Sequence, residues 1–142
     1  MVGARAQPYA AGMMEYAPRR IAIADDSPEF LAAAASYVGA LPGFSLAGTA
    51  CTMPQVLALI ETALPDVLLL DLGLGPQRGV DLVRRVRSAP RAPAVIALAL
   101  FHTPEAAAAV MRAGADALIG KDSFVVGLRQ ALAQLFPPAR AA

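Results

Sequence analysis

The sequence is short of several residue types, and each shortage narrows the kind of protein that its 142 residues can form. A single cysteine, Cys51, excludes an internal disulfide and suits a reducing cytoplasm, and we expect it to be a small buried core residue. Charge of one sign is not in excess either, because the formal net charge at pH 7 is +1. The chain therefore lacks the excess of positive charge that is typical of proteins that bind nucleic acid directly.

Long apolar segments are also lacking, although the mean hydropathy is +0.53 and 33 residues are alanine. The longest apolar run, Ala92–Phe101, is interrupted by Pro93, and a membrane-spanning helix needs about 20 residues. We therefore expect no membrane association. The first residues have no leucine-rich core of a signal peptide. We expect a flexible N-terminal extension over residues 1–19, one domain over residues 20–136, and a tail or truncated linker over residues 137–142.

Lysine is scarce, since the chain has 11 arginines and one lysine, Lys121. Where arginine fills nearly every other basic position, a single lysine hints at a need for its compact ammonium group. The arginines near the third predicted helix are expected to form a solvated face, and His102 is expected to be a solvated loop residue.

Short apolar segments alternate with helical patterns five times from Arg20 onward. The predicted strands are Arg20–Asp25, Phe44–Ala50, Asp66–Asp71, Ala94–Ala99 and Ala115–Ile119. Ser27, Thr52 and Thr103 are predicted helix N-caps, each followed within two residues by proline, and Ser123 is expected to cap the last helix. Five β–α units predict an α/β fold, with a parallel sheet that is covered by helices on both faces.

Acidic residues follow two of these strands, and the single lysine follows a third. Asp25 and Asp26 come after the first strand, Asp71 ends the third, and Lys121 follows the fifth. Because the carboxyl ends of parallel strands share one edge, we expect these side chains to converge there. Two carboxylates about 4 Å apart repel by about 4 kcal/mol at an effective dielectric constant of 20. Mg²⁺ would relieve that repulsion, and the backbone carbonyl of Gly73 is a further candidate ligand.

Each feature taken alone has a plainer explanation. Adjacent acids before Ser-Pro-Glu are often helix N-terminal acids, which the helix dipole favours. An aspartate that ends a strand is often a turn former, and Lys121-Asp122 alone is a solvated loop pair. The combination at one sheet edge favours a site in which Asp71 attacks phosphorus and forms an acyl phosphate.

The same residues resemble the receiver domain of bacterial two-component response regulators. The segment MRAGADALIGKD is similar to the corresponding segment of receivers of the LuxR/NarL type. The resemblance covers residues 20–136. The matching positions are Asp25, Asp26, Asp71, Gly79, Lys121 and Asp122.

The resemblance implies a flavodoxin-like (βα)5 fold with strand order 2-1-3-4-5. It implies a Mg²⁺ site at Asp25, Asp26, Asp71 and the Gly73 carbonyl, with Asp71 as phosphoacceptor and Lys121 as phosphate contact. A sensor histidine kinase would donate the phosphoryl group. The face formed by the fourth helix, fifth strand and fifth helix would carry the output, including homodimer formation. Transcription would be regulated through a DNA-binding domain that is not in this chain.

Two positions depart from the family pattern and make this an atypical receiver. Ala99 stands where the family places a serine or threonine that binds the phosphoryl group, and Leu118 stands at the switch aromatic. A missing hydrogen bond to a charged phosphate costs about 1.5–3 kcal/mol. The alternative function is therefore a phosphorylation-independent pseudo-receiver, acting as a protein-interaction or dimerisation module.

Two other classes that share parts of this pattern fit poorly, and we do not expect an enzyme. A haloacid-dehalogenase-like phosphatase needs a second aspartate where this chain has Gly73. A flavodoxin-like FMN protein needs a hydroxyl- and glycine-rich loop after the first strand, where Asp25 and Asp26 would repel the phosphate.

Overall fold

Strands and helices alternate five times within residues 17–137, which are the residues that the computed structural model describes. In chain order the elements are β1 (Arg19–Ala24), α1 (Pro28–Gly39), β2 (Phe44–Ala50), α2 (Met53–Ala63), β3 (Val67–Asp71), α3 (Gly79–Arg87), β4 (Ala94–Ala99), α4 (Pro104–Ala113), β5 (Ala117–Gly120) and α5 (Phe124–Leu135). A 3₁₀ turn, Lys121–Ser123, joins β5 to α5. Residues 1–16 of the predicted extension and residues 138–142 of the predicted tail lie outside the described residues.

The strands form a parallel sheet in the order β2-β1-β3-β4-β5. This order confirms the predicted arrangement 2-1-3-4-5. Because the order reverses between β1 and β3, the connections place α1 and α5 on one face and α2, α3 and α4 on the other. Open sheets of this kind bind ligands beyond the carboxyl ends of their strands, at the reversal point.

Alternate side chains of each strand point to opposite faces and form two apolar cores. On one face, large residues such as Ile23, Leu69 and Ile96 are fully buried against α1 and α5, and we call this cluster the α1–α5 core. On the other face, Leu68 and Leu70 pack with residues of α2, α3 and α4 in the α2–α4 core. Burial of each such leucine or isoleucine contributes about 1.5–3 kcal/mol, so the two cores fix the sheet and its edges.

The predicted helix starts are largely confirmed. The hydroxyl groups of Ser27, Thr52 and Thr103 each accept a hydrogen bond from the backbone amide three residues later. The prediction for Ser123 was wrong in part, since it stands at the N-cap of α5 but its side chain makes no capping hydrogen bond. The 3₁₀ turn before α5 explains this, because it changes the backbone geometry in which a cap would form.

Two further differences concern the fifth strand and the cysteine. β5 begins at Ala117 rather than Ala115, because Asp116 uses its backbone amide and its carboxylate to bond the backbone of Val95. Cys51 is exposed, not buried, because it follows β2 and lies outside the sheet, where its amide donates to the side chain of Gln55. Among residues 17–137, no helix is both long enough and apolar enough to cross a bilayer.

Candidate functional site

The register of the sheet brings two of the predicted acidic residues side by side. Ala24 of β1 pairs with Leu70 of β3, so the next residues, Asp25 and Asp71, lie at adjacent positions on neighbouring strands. Parallel strands are about 4.8 Å apart, which places the two side chains next to each other. Asp25 is completely buried and Asp71 is 7% exposed, whereas Asp26 is exposed. One carboxylate oxygen from each of the three residues lies within 4.8 Å of the others.

Asp25 is held rigidly by the backbone around it. Its amide donates to the carbonyl of Ala50 at 3.0 Å, and its Oδ1 accepts a hydrogen bond from the amide of Ser27 at 2.8 Å. Its Oδ2 is buried, has an ion-pair contact with Lys121 and has no partner in hydrogen-bond geometry. A buried carboxylate oxygen is costly unless a positive charge lies beside it, and here the Lys121 ammonium supplies that charge.

Lys121 reaches the acidic residues from the far side of the sheet edge. Its Nζ lies 2.6 Å from Asp25 Oδ2 and 3.3 Å from Asp71 Oδ1. Because β4 separates β5 from β3, only a long side chain can make these contacts from the residue after β5. The same Nζ lies 4.5 Å from the ring centre of Phe30, above its face. Sequence reasoning missed Phe30, since an aromatic residue on a helix is indistinguishable by pattern from ordinary core.

The electrostatics of the cluster shift two of its pKa values. Burial raises the pKa of Asp71 above its ordinary 3.8, the negative charge of Asp25 raises it further, and Lys121 and the Gly73 amide only partly oppose this. Burial alone would lower the pKa of Lys121, but its contacts with Asp25 and Asp71 outweigh burial and raise it above 10.5. The ammonium is therefore charged at physiological pH, and one lysine does not fully relieve three acidic residues.

We expect Asp71→Asn to raise the free energy of unfolding of the metal-free protein at pH 7, because the substitution removes a charge that burial and the neighbouring Asp25 disfavour. Since the native pKa of Asp71 is raised, its charge destabilises the fold, and this penalty is complete only above the raised pKa. The gain should therefore shrink as the pH falls through that pKa toward 3.8. Urea denaturation at pH 7 and pH 4 measures it. The exposed Asp81→Asn is the control, and an equal gain for Asp71→Asn at both pH values would contradict the prediction.

The donor set suits a hard divalent cation. Three carboxylates face one ammonium group, and Asp25 Oδ2 already contacts that ammonium group. Oxygen ligands of this kind are those that Mg²⁺ prefers. The Gly73 backbone lies against the site, because a Cβ added there would be 3.4 Å from Asp71 Oδ2. That the Gly73 carbonyl is a ligand stays a prediction.

Ala99 and Leu118, the two atypical positions, lie beside the cluster but contribute no polar group to it. Ala99 ends β4, between β3 and β5, and its register partner is Gly120, next to Lys121. Leu118 is 7% exposed and is part of the α2–α4 core, against which Ala99 also packs. The space beneath the site on this face is therefore filled by apolar contacts.

Comparisons with known proteins agree with this geometry. Residues 21–133 match the family model of the response regulator receiver domain. The nitrate/nitrite response regulator protein NarL of Escherichia coli (strain K12) is 25% identical over 122 residues, which are 86% of this chain and 56% of NarL. The uncharacterized transcriptional regulatory protein YxjL of Bacillus subtilis (strain 168) is 28% identical over 104 residues, 73% of this chain and 48% of YxjL. The chain thus spans about half the length of these relatives.

Solved structures give the same result at the level of the fold. A two-component response regulator of the LuxR family from Aurantimonas sp. SI85-9A1 superposes with a TM-score of 0.76 at 23% identity, covering 88% of this chain and 89% of that one. The signal receiver domain of a DNA-binding response regulator from Colwellia psychrerythraea 34H has a TM-score of 0.71 at 25% identity, with coverages of 84% and 99%.

Proposed function

Because the chain belongs to the response regulator receiver domain family and is the receiver domain of a two-component response regulator, we propose that it accepts a phosphoryl group on Asp71 with Mg²⁺. The observation that carries this proposal is the convergence of Asp25, Asp26 and Asp71 around Lys121 at the carboxyl edge of the sheet. The function is signalling, not turnover of a metabolite. A sensor histidine kinase is the proposed donor.

In the proposed step, a carboxylate oxygen of Asp71 forms a bond to phosphorus as the bond between phosphorus and the donor atom breaks. The electron pair of the broken bond leaves with the donor, and an acyl phosphate remains on Asp71. Lys121 holds its positive charge beside Asp71 and can move from the carboxylate to the incoming phosphoryl oxygens, because its Nζ lies within 3.3 Å of Asp71 Oδ1. Asp25 keeps the ammonium group at the site.

Asp25, Asp26 and Asp71 are the proposed Mg²⁺ ligands, with the carbonyl of Gly73. When bound, Mg²⁺ supplies positive charge that offsets the negative charge of the transferred group. The partly exposed position of the site leaves Asp26 at the surface, where a phosphoryl donor can approach.

We expect acetyl phosphate with Mg²⁺ to add about 80 Da to the protein, one phosphoryl group, as measured by intact mass spectrometry. Asp71→Asn should abolish the addition, because the substituted amide is not a nucleophile. Asp81→Asn removes an exposed carboxylate on α3 and should leave the addition unchanged. If Asp71→Asn still gains the mass, another residue is the acceptor and the proposal fails.

The output of this receiver is proposed to be an interaction that depends on its phosphorylation. The Colwellia structure is named as part of a DNA-binding response regulator, and the matched part of this chain covers only 56% of NarL and 48% of YxjL. We propose that transcription is regulated through such an output domain, in the cytoplasm. Exposed apolar residues on α4 and α5, Met111 and Val126, support the face of α4, β5 and α5 as a surface for homodimer formation.

A second candidate function is a phosphorylation-independent pseudo-receiver, and the apolar packing of Ala99 and Leu118 favours it. Both functions share the fold but differ in their response to a phosphoryl mimic. A rise in melting temperature with Mg²⁺ and beryllofluoride supports the phosphoacceptor. If neither Mg²⁺ nor beryllofluoride changes the melting temperature, the pseudo-receiver is the better interpretation.

A further inference from the structure

Lys121 connects the acidic cluster to an aromatic seam between α1 and α5, which we define as Phe30, Tyr37 and Phe124. The Lys121 ammonium lies 4.5 Å from the ring centre of Phe30. The Phe30 ring meets the Phe124 ring edge to face, with centres 5.3 Å apart and an angle of 80°. Tyr37 contacts the same Phe124 ring at 6.1 Å and 73°. The contacts therefore run without a gap from the carboxylates to the middle of the α1–α5 interface.

The charge on Lys121 makes the Phe30 contact sensitive to what the acidic residues hold. A cation above an aromatic ring is attracted by the negative face of the ring, and the attraction strengthens when water is excluded. The Lys121 side chain is only 17% exposed and shares its charge among Asp25, Asp71 and Phe30. A cation and a phosphoryl group bound at the cluster would compete for that charge, and the ammonium would then shift relative to the ring.

Phe124 lies where such a shift would reach the start of a helix. It is the first residue of α5 and follows the 3₁₀ turn that contains Lys121, so both residues belong to one short backbone segment. Edge-to-face aromatic pairs depend on their geometry, and each contributes about 0.5–1.5 kcal/mol beyond the area that it buries. On the opposite face, Ala99 and Leu118 offer neither a hydroxyl nor a ring to perform this role.

We propose that Phe30 is a positioning residue for Lys121 and transmits the state of the acidic cluster, through Phe124 and Tyr37, to the α1–α5 interface. This inference rests on the proposed phosphoacceptor function, which it extends by naming the route from the site. Phe30 acts through Lys121 and does not touch the reacting atoms. The direction of transmission is toward α1 and α5, and α5 is also part of the face of α4, β5 and α5 that is proposed for homodimer formation.

The test places one reporter in the seam. In a Tyr9→Phe, Tyr16→Phe background, Tyr37 is the remaining tyrosine of the sequence, and biosynthetic 3-fluorotyrosine labels it alone. We expect Mg²⁺ with beryllofluoride to shift its ¹⁹F resonance by more than the linewidth. Phe30→Leu keeps apolar packing but removes the ring, so the shift should be lost and beryllofluoride affinity, measured by thermal-shift titration, should weaken about 2- to 5-fold. Phe30→Trp keeps an aromatic face and should retain the shift.

Phe44→Leu is the matched control, because Phe44 is also a partly buried aromatic residue of the α1–α5 core but pairs with Phe136 and not with Lys121. It should leave the shift unchanged. If the parent takes up beryllofluoride and the resonance does not move, or moves equally in Phe30→Leu, the inference is wrong while the proposed function stands. If the parent takes up neither Mg²⁺ nor beryllofluoride, both the inference and the proposed function are wrong. Should Phe30→Leu fail to fold, Phe30→Met replaces it as the ringless variant.

Discussion

Lys121→Met is expected to lower the free energy of unfolding of the metal-free protein at pH 7 by about 3 kcal/mol. The substitution leaves Asp25 fully buried without the cation that contacts its Oδ2. Removing one member of a buried ion pair typically costs 3–5 kcal/mol, and the 17% exposure of the lysine side chain places this case at the low end. Urea denaturation monitored by circular dichroism measures the loss.

The pH and Mg²⁺ dependence of this loss separates electrostatics from packing. Lys121 lowers the pKa of Asp71, so without it Asp71 binds a proton more readily and the loss should be smaller at pH 5 than at pH 7. Mg²⁺ should restore part of it, since a ligand at ten times its dissociation constant stabilises by about 1.4 kcal/mol. Arg129→Met removes the same charge from an exposed position on α5 and should cost no more than about 0.5 kcal/mol. A loss for Lys121→Met as small as this control would contradict the role assigned to the ammonium.

The fold was predictable because its signals are local and repeated. Near-continuous apolar runs such as VLLL and AVIALA are what strands covered on both faces require, and β3 and β4 are buried accordingly. Proline-led helix starts then set the alternation of strand and helix, and the topology rules for parallel sheets leave few arrangements. The convergence of Asp25, Asp71 and Lys121 followed from the same rule, since all three come directly after or at the end of strands.

What could not be predicted depends on the third dimension. Nothing in the sequence distinguishes Phe30 from other apolar helix residues, because its contact with Lys121 arises from the approach of α1 to the turn before α5. Cys51 was misjudged because a free cysteine is most often a small buried residue, whereas its exposure here is set by where β2 ends. The two shifted pKa values likewise follow from burial and from distances between residues 46 and more positions apart, which a sequence pattern does not give.

Ala99→Thr is expected to tighten the binding of beryllofluoride in the presence of Mg²⁺ by about 10- to 150-fold. Ala99 ends β4 between Asp71 and Lys121, at the edge where the acidic residues converge. A hydroxyl group there adds a donor for the charged mimic, and hydrogen bonds to charged groups contribute about 1.5–3 kcal/mol. Thermal-shift titration with beryllofluoride at fixed Mg²⁺ measures the change in affinity.

Ala99→Val is the control that isolates the hydroxyl group, because valine has nearly the shape of threonine and is also branched at Cβ. Both substitutions place the same added volume against the α2–α4 core, so any cost in stability should be shared by the two variants. Only threonine should gain affinity. An equal gain for valine would attribute the effect to packing, and no gain for threonine would mean that the mimic binds too far from the end of β4.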